Sequence, residues 1–304
     1  MGRVGAIHQH CRPREGCTLP GSRWILLTVS SEFPILPAYV HGYSAREAAR
    51  LADQANTLAE LLHSDTRFPA AARVLEVGCG IGAQTVIVAP ASPGAHFTSI
   101  DISESSLAEA QRRAAAAGLR NVEFRQADLL DLSFSDGSFD HVLVCFVLEH
   151  LPDPRRALRA LRRVLAPGGT MTIIEGDHGS ALFHPDSLAA RANIDCLVRA
   201  QGVHGGDANI GRRLQPLLAD AGYHDVRTSP RFVYADETRP SWVQGFTRLT
   251  FNAMVAGVRE QVLTAGWMSP EAWDHGMADL ERTSGPGGVF CYTFFKATAT
   301  RPSV

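Results

Sequence analysis

The chain carries almost no net charge: 29 lysines and arginines meet 31 aspartates and glutamates, a formal balance of -2. Nothing in that balance draws it to nucleic acid or to an anionic membrane surface. Paired CxxC clusters are absent. The six cysteines, Cys11, Cys17, Cys79, Cys145, Cys196 and Cys291, are scattered, and Cys11 and Cys17 stand too far apart for half of a zinc knuckle. Neither a CxxxCxxC radical motif nor a catechol-type carboxylate cluster occurs, and the 12 histidines are dispersed. Long hydrophobic runs are missing too: residues 24–29 near the N-terminus are too few for a secretory core or a membrane span. These absences point to a reduced, cytoplasmic protein without metal, nucleic acid or membrane among its partners.

What is present is a globular balance, 45% hydrophobic and 20% charged, over 304 residues. That length suits one large α/β domain with additions, or two small ones. Residues 1–32 mix His8, His10, prolines and arginines without periodicity and read as a poorly ordered tail. The residues before about Val29 also read as an upstream extension of the natural chain. Residues 33–72 read as a helical cap. Ser44 with Glu47 forms a capping box, followed by Ala48, Leu51, Ala55, Leu58, Leu61 and Leu62 at helical spacing. Tyr39 and Tyr43 lie just ahead, either folded over a pocket mouth or packed as surface aromatics.

From residue 73 to 235 strand and helix patterns alternate. Strands are expected near 74–77, 95–100, 122–127, 139–147 and 170–175, with helices between them, a helical insertion near 181–208, a helix at 210–222 and a sixth strand at 226–234. Residues 236–288 carry Trp242, Phe246, Met254, Trp267 and Trp273 on a helical pattern, and residues 289–304 supply a last strand and the C-terminus. Such alternation implies right-handed crossovers and a Rossmann-like, seven-stranded, mostly parallel sheet with helices on both faces. The 236–288 segment reads as a helical lid over a flat apolar ligand, or as packing against the sheet.

The first strand ends in Glu76-Val77-Gly78-Cys79-Gly80-Ile81-Gly82. Three alternate glycines between strand and helix let the backbone approach a ligand, although glycine also serves plain turns. Ligands of such sheets collect at the carboxyl ends of the strands, where polar residues fall here. Asp101 closes the second strand about twenty residues on, placed to accept two ribose hydroxyls. Asp128 follows the third strand, where it could receive an exocyclic amino group, and Glu149 and His150 follow the fourth. After the fifth come Glu175, Asp177 and His178; an Asp-His pair there pins a loop, or else positions a substrate and removes its proton. Arg212 and Arg213 read as a solvated helix face or as a grip on a substrate acid.

Together with Ser99-Ile100-Asp101-Ile102-Ser103, Gln126-Ala127-Asp128, Phe139-Asp140-His141-Val142 and Leu165-Ala166-Pro167-Gly168-Gly169, the glycine turn resembles the class I S-adenosylmethionine-dependent methyltransferases. The resemblance implies that Glu76, Gly78, Gly80 and Gly82 face the amino-acid part of S-adenosylmethionine, with Cys79 a small packing residue in the turn. It assigns Asp101 to the ribose, Ile102 to the adenine face, Asp128 and Leu129 to the adenine edge, and Cys145 and Phe146 to the sulfonium. His41-Gly42-Tyr43-Ser44, residues 146–151, residues 175–180 and Tyr292-Thr293-Phe294-Phe295-Lys296 are similar to natural-product methyltransferases, including indole C3-methyltransferases. That likeness implies a small aromatic substrate, for example the indole of a tryptophan-containing cyclic dipeptide closing to a pyrroloindoline. Its acceptor would be held by Tyr39, Tyr43, Trp242, Phe246 and Met254 and served by a base, His178 with Asp177 and Glu175. An O- or N-methyltransferase of a phenol, quinone or polyketide, and a non-catalytic cofactor-binding regulator, stay open beside it, as does a homodimer.

Overall fold

The computed structural model describes residues 45–303. The expectations on residues 1–44, among them Tyr39, Tyr43 and the Ser44 half of the capping box, lie outside the described residues.

Helix α1 (Ala45–His63) leads into β1 (Arg73–Val77), and the chain then runs through α2 (Thr85–Val88), β2 (His96–Asp101), α3 (Glu104–Ala116), β3 (Val122–Gln126) and β4 (Phe139–Cys145). There follow α4 (Pro154–Val164), β5 (Leu165–His184), α5 (Leu188–Val203), α6 (Leu214–Asp220), β6 (His224–Ala235) and, after the insertion, β7 (Val289–Thr300). The seven strands lie in the order β3-β2-β1-β4-β5-β7-β6. β1 to β5 pair in parallel, and β7 runs antiparallel between β5 and β6. The expected seven-stranded, mostly parallel architecture is what forms.

Local chemistry sets the helix starts. Ser103 and Ser187 cap α3 and α5 by accepting the amides of Ser106 and Ala190. Asp153 accepts from Arg156 with Pro154 in the first turn, so α4 begins four residues before its apolar spacing starts at Leu158. Successive residues of β1 feed opposite faces of the sheet. Leu75 and Val77 join Val142, Val144, Leu158, Leu161 and Leu214 in one core, whereas Val74 packs with Phe97, Val88 and Leu143 in another.

Two expectations need correction. β5 does not end near residue 175 but continues to His184, so residues 181–184, assigned to a helix, are strand; Leu182, Phe183 and His184 pair with Cys291, Phe290 and Val289. The polar, glycine-containing run 175–180 lacks strand alternation; β7 pairs with residues 175–177 of it, and the His178 and Gly179 amides donate to the Ala208 carbonyl and the Asn209 side chain. The expected 210–222 helix is also broken, into a 3-10 turn (Ile210–Arg213) and α6.

The 236–288 insertion is helical as expected, with a π-helical stretch (Val243–Asn252) and a terminal helix (Pro270–Arg282). It is packed tightly. Trp273, Phe246, Phe251, Met254 and Leu280 are buried in one core with Leu58 and Leu62 of α1, Ala190 and Leu197 of α5, and Phe290, Tyr292 and Phe294 of β7. No helix among the described residues is long and apolar enough to cross a membrane.

Candidate active site

The turn after β1 takes left-handed backbone at Gly78 (φ 65°), Gly80 (52°) and Gly82 (74°), a region that side chains disfavour. A methyl at Gly78 would stand 2.5 Å from Val147, and one at Gly82 3.1 Å from the Ala110 backbone, whereas one at Gly80 would meet nothing within 4 Å. The turn is therefore closed by its neighbours at both ends and open at its centre. That opening is a cradle beside the carboxyl ends of β1 and β2, the place where ligands of such sheets bind.

Asp101 ties the cradle together. Its Oδ2 accepts the Gly80 amide at 2.8 Å and its Oδ1 the Ser103 amide at 2.9 Å. Each carboxylate oxygen keeps a second lone pair, so the ribose role fits alongside this structural one. Ile102 is 37% exposed next to it, at the carboxyl end of β2 where the resemblance sets the adenine. Asp128 accepts the Leu130 amide at 2.8 Å through Oδ1, and Leu129 is buried behind it. Glu76 lies beneath the turn, with Ser99 and Thr85 hydroxyls donating to its Oε2 at 2.6 and 2.7 Å. Burial raises its pKa, and those two hydroxyls oppose the rise. Burial also pushes the Cys79 and Cys145 thiols up, so neither is a ready thiolate.

At the end of β4 the backbone of Phe146 is itself left-handed, φ 59°. The next two amides, of Val147 and Leu148, both donate to Oε1 of Glu175, at 3.1 and 2.8 Å. Glu175 thus holds the loop that presses against Gly78. Among the described residues its other oxygen, Oε2, is buried without a partner, and burial and the Glu149 carboxylate drive its pKa well above the usual range. Glu149 in turn lies 3.5 Å from the His150 imidazole, and the Gln201 amide donates to its backbone carbonyl at 3.0 Å.

Asp177 and His178, expected as a pair, turn to different partners. Asp177 is clamped by Arg212, Nε to Oδ2 and Nη2 to Oδ1, both at 2.5 Å. Arg212 is therefore not part of a merely solvated face; Arg213 pairs with Asp207. His178, only 4% exposed, places Nδ1 2.7 Å from the Tyr292 hydroxyl and its ring edge-on to Phe251 at 5.9 Å. Burial lowers its pKa, so the ring is neutral at neutral pH. Arg212, named in the sequence without this partner, holds Asp177, and Tyr292, named only within a motif, is the site residue to which sequence reasoning gave no role. Tyr292 stands at 290-292-294 spacing with two phenylalanines on one strand face, a signal that marks core and hides the single hydroxyl in it.

Of the expected acceptor wall, Phe246 and Met254 are buried, and the Phe246 ring stacks among Phe251, Phe290, Tyr292 and Phe294 at centroid distances of 5.4–6.5 Å. Trp242 packs at the edge of that core under the Arg239 guanidinium, 5.2 Å from its ring. A surface groove of about 250 Å³ lined by Ala89, Pro93, Gly118 and Asn121 lies at the amino ends of β2 and β3, away from all of these residues.

Comparison with known proteins bears on the family and the fold. The sequence profile of the methyltransferase domain matches residues 75–173, the span from β1 into β5. The chain is 31% identical over 226 residues to 27-O-demethylrifamycin SV methyltransferase of Amycolatopsis mediterranei, covering 73% of this chain and 76% of that one. It is 42% identical over 190 residues to demethylmenaquinone methyltransferase of Clavibacter sepedonicus, covering 61% and 70%. Its fold matches the [4+2]-cyclase SpnF (TM-score 0.51, 21% identity, 83% and 81% covered). The Haemonchus contortus phosphoethanolamine N-methyltransferase 2, solved with S-adenosylhomocysteine, gives the same score at 18% identity, with 81% and 53% covered. A glycine cradle tied to an acid at the end of β2, on a sheet of this order and among relatives of this kind, makes the chain a member of the S-adenosylmethionine-dependent methyltransferases.

Proposed function

We propose that the chain methylates a small aromatic natural product, with an indole carbon of a tryptophan-derived cyclic dipeptide as the leading acceptor. The observation that carries this reading is the cluster beyond the cofactor cradle. Phe146 leads into a loop fixed by Glu175, its ring 5.5 Å from Phe294, and behind it His178 and Tyr292 stand among Phe246 and Phe251. A few polar groups set in aromatic, apolar surroundings suit a flat, mostly apolar ligand that must be oriented through one or two hydrogen bonds.

S-adenosylmethionine brings a methyl group already activated on a sulfonium. The protein's work is alignment and exclusion of water. Asp101, Asp128, Ile102 and the open backbone at Gly80 hold the donor, and the Val147 contact with Gly78 joins that cradle to the Glu175 loop. His178 and the aromatic rings orient the acceptor.

O-methylation of a phenol, quinone or polyketide is the second reading, supported by the relatives named for 27-O-demethylrifamycin SV and demethylmenaquinone. Release of S-adenosylhomocysteine against a panel of indoles, tryptophan cyclic dipeptides, phenols and quinones separates the two. Turnover confined to oxygen acceptors would overturn the indole reading.

A further inference from the structure

His178 was expected to remove a proton; its contacts argue for another task. The question turns on which partner supplies the hydrogen between Nδ1 and the Tyr292 oxygen, 2.7 Å apart. A tyrosine hydroxyl has one proton to give, and a neutral imidazole has one nitrogen that donates and one that accepts. Were Nδ1 the donor, the phenol hydrogen would need another acceptor, and the described residues offer none, though Tyr292 is almost completely buried. An unsatisfied buried hydroxyl costs about 1–3 kcal/mol. The reverse orientation leaves nothing unsatisfied at this contact: Tyr292 donates, Nδ1 accepts, and the ring proton sits on Nε2. Both groups are neutral, since burial raises the tyrosine pKa and lowers that of the histidine.

The surroundings hold this arrangement. A methyl at Gly176 would lie 2.5 Å from the Tyr292 hydroxyl, so the strand is bare where that oxygen sits. Phe251 closes the imidazole edge-on. The charged groups bearing on His178 come from three elements, Arg50 of α1, Glu149 and His150 after β4, and Asp177 of β5, and Asp177 is occupied by Arg212. Among the described residues Nε2 has no hydrogen-bond partner. An N–H in that position calls for an acceptor, and a ligand oxygen can supply it.

We propose that His178 is a fixed N–H donor that binds an oxygen of the substrate, a carbonyl, amide or phenolate oxygen near the methylated atom, and that Tyr292 is the positioning residue that sets its tautomer. The substrate class is thereby narrowed to aromatic molecules carrying such an oxygen. This rests on the reading of the cluster as the acceptor side of the methyltransferase.

Two measurements test it. Long-range 15N–1H correlation spectra of 15N-histidine-labelled full chain with S-adenosylhomocysteine should show His178 protonated at Nε2, and Tyr292→Phe should shift it toward the other tautomer. Protonation at Nδ1 in the unaltered protein overturns the proposal whether or not any substrate is turned over, so it is tested apart from the methylation reading. With an accepted substrate, His178→Gln keeps an amide donor and should hold kcat/KM within roughly tenfold, while His178→Ala should lose roughly hundredfold, the scale for one lost donor to a reacting oxygen. Equal loss in the two variants, with S-adenosylmethionine affinity unchanged in both, would identify His178 as a base and sink the donor role.

Discussion

The end of α1 makes a quantitative prediction about acid stability. His63 is buried, its Nδ1 3.1 Å from the Thr66 hydroxyl and its Nε2 2.9 Å from Oε1 of Gln84, two residues past Gly82. Burial is the main reason its pKa falls to about 4 from 6.5; the Gln84 contact raises it, Lys296 and Arg231 lower it and Asp65 raises it. A base whose folded pKa is depressed is charged more readily in the unfolded chain, which therefore binds more protons between pH 6.5 and 4. Stability contributed by neutral His63 is thus complete above pH 6.5 and is lost as pH falls toward 4. At 1.36 kcal/mol per pKa unit the whole effect is about 3 kcal/mol, of which about 2 is lost between pH 7 and pH 5. Urea unfolding of the unaltered protein and of His63→Gln at both pH values reads it directly. Glutamine does not titrate, so the variant should start less stable at pH 7 and close on the unaltered protein by about 2 kcal/mol at pH 5. Parallel losses in the two proteins would show that His63 is not the group responsible and would refute the burial argument.

Other outcomes follow from the same contacts. Asp101→Ala should weaken S-adenosylmethionine binding by about 2 kcal/mol in calorimetry, because it removes the acceptor proposed for the ribose and also frees the Gly80 and Ser103 amides it holds. Gly80→Ala should bind the cofactor more weakly at a folding cost of about 1–2 kcal/mol for its left-handed backbone, whereas Gly82→Ala should melt lower still, since its methyl also meets Ala110. Lys296→Met should destabilise by roughly 2–3 kcal/mol in chemical denaturation. The buried ammonium holds the Leu62 carbonyl, Asp65 and Thr66 at 3.1, 2.6 and 2.7 Å, and half-exposed Asp65 retains Arg231 and water in the variant.

The donor half of the candidate site was legible because each residue in it is tied to its neighbours in sequence. Gly78, Gly80 and Gly82 follow a strand, Asp101 ends the next one and Asp128 comes just after the third, so strand periodicity alone places them at one edge of the sheet. The acceptor half was legible only in part. Glu175, Asp177 and His178 were visible as a polar run at a strand end, but their partners are remote: Glu175 takes amides 27 and 28 residues away, Asp177 an arginine 35 away and His178 a hydroxyl 114 away. Periodicity carries no information on such pairings. The aromatic insertion was ambiguous for a related reason, because the same rings suit a core and a ligand wall, and packing places Phe246 and Met254 in the core.

The register of β5 against β7 explains why His178 in particular escaped a reading from sequence. Asp177 lies opposite Thr293, yet Leu182 lies opposite Cys291, so five residues of advance along β5 are matched by two along β7. The surplus is a bulge over residues 178–181, and Ser180 repairs the ladder there: its hydroxyl donates to the Asp177 carbonyl at 2.7 Å and accepts the Thr293 amide at 2.8 Å. In a strand, side-chain direction is set by counting in twos, so Asp177 and His178 face opposite sides of the sheet. The register that sets Asp177 opposite Thr293 brings His178, one step on, level with Tyr292 before the bulge begins to shift it. The imidazole meets the Tyr292 hydroxyl, while Asp177 itself goes to Arg212. The Asp-His pair that adjacency in sequence suggests is thus broken by strand alternation, and a tyrosine of β7 takes the place of the acid.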